Sequence, residues 1–152
     1  MKLRDLTPDD WDGIAQYLAY LCRELRLTHW TIHLSQHPTK KRHAGSIAPV
    51  YGRKHATLFL SRFWPRYDAY EQKHTLIHEL LHLYFFDTQS AVGRLEQTLD
   101  PCAFHLVWES HTEALEFAVD ALADVLAARL DDPPALSISA PTITLDNDLP
   151  IE

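Results

Sequence analysis

Apolar positions along the chain change period several times, and each change marks an element. Ile14, Leu18, Leu21 and Leu25 recur every three or four residues, which stacks side chains on one face of a helix. Thr7-Pro8-Asp9-Asp10 reads as its start, with Thr7 as N-cap and Pro8 at the first helical position, giving a predicted helix from about Pro8 to Leu27. Trp30 to Leu34 alternates as a strand does. Gly45 to Tyr51 and Ala56 to Leu60 read as two more strands, joined by a turn at Gly52-Arg53-Lys54. Pro65 interrupts the chain, and a second helix is predicted from about Tyr70 to Phe86. An irregular connection is expected from Asp87 to about Cys102, then a long helix from about Phe104 to Leu130. Its main apolar stripe would be Leu115, Ala118, Leu122, Val125 and Leu126. Asp131-Asp132-Pro133-Pro134 ends that helix. The rest, to Glu152, reads as a loosely held tail in which Ile138, Ile143 and Leu145 could form an edge strand. The pattern predicts an α+β domain over residues 1–130, with about three helices and a small antiparallel or mixed three-stranded sheet, followed by a Pro/Asp-rich tail over 131–152.

Composition narrows the class. A chain of 152 residues that is 46% hydrophobic can bury one real core. A net charge of −7 gives no electrostatic footprint for nucleic acid, and Lys40-Lys41-Arg42-His43 reads as a solvated loop. Cys22 and Cys102 provide neither a disulfide framework nor a four-thiolate metal site, which fits a reducing compartment. Met1 to Asp10 lacks an apolar targeting core, and no apolar run is long enough for a bilayer. A cytoplasmic protein with no membrane partner is expected.

The chemistry is concentrated in His78-Glu79-Leu80-Leu81-His82. On a helix, residues four apart share a face, so both imidazoles can reach one metal ion. Glu79 can point toward a water at that metal and act as its general base. An amphipathic helix with His and Glu turned to water is the bland alternative. Against it, unpaired polar groups among Leu76, Ile77, Leu80, Leu81 and Leu83 would be costly. Zn²⁺ is the metal such a site suits, and a catalytic zinc normally takes three protein ligands. The last helix offers Glu109, Glu113, Glu116 and Asp120. Spacing favours Glu113, which borders the apolar side beside Ala114 and Phe117, ahead of Glu116 and then His111.

HTLIHELLHLYF followed by EALEFAVDALADVLA resembles the small HExxH proteins of phages and prophages, which themselves resemble minimal gluzincin metallopeptidases. The likeness covers roughly residues 10 to 130. It implies a zincin-like fold with HExxH on the middle, active-site helix. Glu113-Ala114-Leu115-Glu116-Phe117-Ala118 is more distantly similar to the E-A-N-x-F-A segment of ImmA/IrrE-type metallopeptidases, whose leading Glu is a zinc ligand. That similarity carries the ligand role onto Glu113, although Leu115 replaces the usual Asn or Asp and Glu116 offers a second register. By the same likeness, Ala56 to Leu60 would be a sheet edge that pairs with extended substrate.

These readings together predict a zinc-dependent peptidase acting on a peptide or protein substrate, with His78, His82 and Glu113 as ligands and Glu79 as general base. The alternative is a zinc-stabilised, non-catalytic binding or regulatory module of the same fold. His74, one turn before His78, could extend the ligand row or hydrogen-bond beside the site, with a solvent-facing position the favoured reading. Tyr67 and Tyr84 are candidate donors to a developing oxyanion. Trp11, Trp30, Trp64 and Trp108 read as packing anchors, and His29, His33 and His37 as a coincidental series in a strand and turn.

Overall fold

Each of the three helices starts on a side chain that takes up N–H groups the first turn would otherwise leave unpaired. Thr7 and Asp10 form a reciprocal capping box at the head of α1 (Pro8–Glu24). Asp68 and Glu71 do the same for α2 (Ala69–Gly93). Asp100 accepts from the backbones of Cys102 and Ala103 to open α3 (Pro101–Ala127). Between α1 and α2 lie β1 (Thr31–Leu34), β2 (Gly45–Pro49) and β3 (His55–Leu60). This computed structural model describes residues 6–40 and 42–137.

The sheet is mixed, in the order β1-β3-β2. β1 pairs parallel with β3 through Ile32↔Ala56 and Leu34↔Leu58, and β2 pairs antiparallel with it through Ile47↔Leu58. Ala56 to Leu60, expected as a sheet edge, is therefore the central strand, bonded on both sides. Ala56, Leu58 and Leu60 alternate into the core. The edge strands are β1 and β2. Gly52, at φ 73, makes the left-handed turn between β2 and β3 that only a residue without a Cβ adopts freely.

Other boundaries moved for identifiable reasons. α1 stops before Leu27 because Arg26 turns left-handed at φ 57, and the Leu27 N–H bonds Cys22 O while its side chain is buried. α2 runs past Phe86 to Gly93, so the first part of the expected irregular connection is helix. A short 3-10 turn at Arg94–Gln97 leads to Asp100.

α2 is the core helix, with Leu76, Ile77, Leu80, Leu81 and Leu83 buried between the sheet and its neighbours. α3 meets it through Leu115, Val119, Ala123 and Ala127. Of the predicted stripe Leu115 is buried, but Leu122 and Val125 are exposed, and Val119, Ala123 and Ala127 take the buried positions instead. Residues 131–137 cross α1: Tyr17 Oη donates to Asp131 O at 2.6 Å, and the Ser137 N–H donates to Asp10 at 2.6 Å. Ile138, Ile143 and Leu145 lie outside the described residues. Among the described residues no helix is long and apolar enough to cross a membrane.

Candidate metal centre

His78, Glu79 and His82 all lie in the middle of α2. The chain between α2 and α3 is short, so α3 returns antiparallel, and four residues forward on one helix match four back on the other. His74 therefore meets Asp124, His78 meets Asp120, and His78 and His82 both meet Glu116. The Nε2 atoms of His78 and His82 are 3.0 Å apart. Glu116 presents Oε2 at 3.4 Å from the first and Oε1 at 3.5 Å from the second. These three residues form the one group among the described residues that could hold a metal ion.

The donor set fits zinc on two counts. Tetrahedral zinc with bonds of about 2.0–2.1 Å places neighbouring ligand atoms about 3.3 Å apart, close to the separations found here. In addition, Nδ1 of His78 lies 2.7 Å from Asp120 Oδ1. An ionised carboxylate only accepts, so Nδ1 carries the proton and Nε2 turns its lone pair to the centre. Two imidazole nitrogens facing each other need either a proton or a cation between them. Burial lowers the pKa of His82, as does repulsion from His78, against the opposing pull of Glu116 and Asp120. A neutral imidazole is the form that ligates a metal.

Glu79 is 9% exposed and lies under β2. Burial pushes its carboxyl up to about 7, helped by Glu116 and opposed by His78 and by a hydrogen bond from the Ile47 backbone. Gly45 allows this placement: a Cβ there would lie 2.9 Å from Thr75 Cγ2 and 3.1 Å from Glu79 Cγ.

The structure does not bring Glu113 to the imidazoles. It is exposed, about a turn before Glu116 on α3, where the antiparallel register sets it beyond His82. Glu116 is the carboxylate that faces both imidazoles, and Asp120, four residues on and named among the candidate acids but not ranked, is the partner of His78 Nδ1. The signal was the matched spacing: acids four apart on α3 facing histidines four apart on α2. His111 is also absent from the group, and its buried Nε2 has no hydrogen-bond partner. His74 Nε2 faces Asp124 at 3.1 Å, outside the ligand group. Tyr84 donates its hydroxyl to Leu25 O, away from the centre, whereas Tyr67 lines a cavity beside His74. Trp30 and Trp64 are buried anchors, and Trp11 packs on the core edge. His33 lies in β1, which gives the His29-His33-His37 series no shared helical face.

No family model matches the sequence, and neither a curated protein nor a solved structure matches it.

Proposed function

We propose that the chain is a zinc-dependent peptidase of the minimal gluzincin kind, with His78, His82 and Glu116 holding the metal and Glu79 as general base. One observation carries this reading. Two imidazole Nε2 atoms and a carboxylate converge at ligand spacing beside a buried carboxyl whose charge interacts with the same groups. A zinc ion bound there supplies a water of lowered pKa and a Lewis acid for the scissile carbonyl.

The chain's own groups supply the rest. Asp120 fixes the tautomer and plane of His78 through its 2.7 Å contact with Nδ1. Glu79 is held between α2 and β2 by packing against Gly45 and by the Ile47 N–H, so its carboxylate is oriented before substrate arrives. From there it takes a proton from the attacking water and passes it to the leaving amine nitrogen. A purely structural zinc site would be closed by a fourth protein ligand and would have no need of a buried carboxyl beside it. Among the described residues the group has three members.

Hydrolysis of a mixed peptide library by the zinc-supplemented protein, compared with Glu79→Gln, tests the reading. The variant is expected to keep its zinc and lose hydrolysis. Unchanged hydrolysis in Glu79→Gln removes the mechanism. A zinc-bound wild type that cleaves nothing, and melts lower without metal, favours the non-catalytic module.

A further inference from the structure

One helical turn before His78, α2 opens onto a cavity of about 410 Å³ that none of the metal-centre residues lines. Tyr67, Tyr70, Ala44 and Thr75 line it, Ala44 immediately before β2. The remaining lining side chains are Glu71, His74 and Asp124. The Tyr70 hydroxyl donates to Asp124 Oδ1 at 3.0 Å, and His74 Nε2 faces the same oxygen at 3.1 Å. These contacts fix the Asp124 carboxylate at the cavity's edge, where its side chain is 65% exposed. Glu71 accepts the Asp68 N–H at 2.9 Å, which orients it likewise. No lysine or arginine among the described residues lines the cavity. It stays net negative even with His74 protonated.

Two tyrosine faces with carboxylates at the edge suit a side chain that has a long apolar stem and a cationic head. The stem packs on the rings and the head meets Asp124 and Glu71. A turn of helix advances about 5.4 Å, and an extended peptide advances about 3.3 Å per residue. The cavity is thus within about two residues of a bond held at the metal centre. We propose that it is the specificity subsite, taking a lysine or arginine side chain of the substrate within about two residues of the cleaved bond. The proposal rests on the peptidase reading for its role, and on the cavity alone for its selectivity.

Both parts can be read on the zinc-supplemented full-length protein. Binding of Nα-acetyl-arginine amide and Nα-acetyl-norleucine amide would be followed by NMR shifts in wild type, Asp124→Asn and Asp124→Glu. A peptide library would be digested in parallel. The arginine amide is expected to bind on the order of tenfold more tightly than the norleucine amide and to shift the signals of Tyr70 and His74. Asp124→Asn is expected to erase most of that preference, and Asp124→Glu to restore part of it. Library products are expected to carry Lys or Arg at one fixed position. Equal binding of the two amides, or a preference untouched in Asp124→Asn, overturns the cationic assignment whether or not peptides are cleaved. Cleavage that favours an aromatic or aliphatic residue there overturns it too. An intact arginine preference with no peptide cut counts against the peptidase reading, and the selectivity of the cavity stands.

Discussion

Adding one methyl group at Gly45 is expected to damage the centre without touching a ligand. The new Cβ would lie 2.9 Å from Thr75 Cγ2 and 3.1 Å from Glu79 Cγ, and 3.5 Å from Phe59 O. Ordinary carbon contacts lie at about 3.5–4.0 Å, so β2 and α2 would have to separate by roughly half an ångström or more. Thr75 and Glu79 are both buried, which leaves neither side chain free to swing away. Overpacking of this size costs about 1–3 kcal/mol. The gain in strand preference on replacing glycine offsets about 0.5–1 kcal/mol of it. A net loss of roughly 0–2.5 kcal/mol, centred near 1, is expected for Gly45→Ala in urea unfolding. Thr75→Ser removes the nearer obstacle at a cost of about 0.8 kcal/mol for its own lost methyl. Combined with Gly45→Ala it is expected to recover about 1 kcal/mol, which a double-mutant cycle reads as coupling. Hydrolysis is expected to fall on the order of tenfold or more in Gly45→Ala, since a general base displaced by fractions of an ångström loses its alignment. A Gly45→Ala protein as stable and active as wild type, or a coupling within about 0.3–0.5 kcal/mol of zero, would refute the argument.

Other outcomes follow from the same geometry. Asp120→Ala is expected to weaken zinc binding about 10–100-fold in competition with a chromophoric chelator, because His78 loses the acceptor that orders its ring; unaltered affinity would mean that the contact is incidental. Tyr84→Phe is expected to leave turnover within about twofold, since its hydroxyl is committed to Leu25 O, and a loss of about 100-fold would return it to the list of oxyanion donors. Asp10 gives a pH test. Burial raises its carboxyl, but hydrogen bonds from Ser137 and Thr7 outweigh this and leave it below the ordinary 3.8. A depressed carboxylate stabilises the fold above its unfolded value and stops doing so as pH falls through the folded one. Wild type is therefore expected to be more stable than Asp10→Asn at neutral pH, with the gap closing below about pH 3.8. A gap of constant size down to strongly acidic pH would contradict the assignment.

Much of this architecture was legible because local chemistry dictates it. Thr7-Pro8-Asp9-Asp10 announces α1, alternation locates all three strands, and the HExxH spacing puts both imidazoles on one face. What escaped was set by pairing across the chain. Nothing between Asp87 and Gly93 breaks a helix, yet its polar residues read as a connection. The α3 stripe was read from the largest apolar residues, whereas close packing against α2 selected Val119, Ala123 and Ala127. The choice of Glu116 over Glu113 followed from the same cause. Spacing on one helix ranks acids by their distance from the apolar face, but only the antiparallel register with α2 decides which carboxylate stands level with His78 and His82. Strand order was equally hidden, since the alternation of β3 is the same for an edge strand as for a central one.

Anomalous scattering at the zinc absorption edge, from crystals of the zinc-supplemented protein, bears most directly on whether this protein holds a cation between α2 and α3. A single peak is expected about 2.0–2.2 Å from Nε2 of His78, Nε2 of His82 and a carboxylate oxygen of Glu116, with Glu113 remote from it. A peak coordinated by Glu113, or no peak between the two helices, would contradict the account.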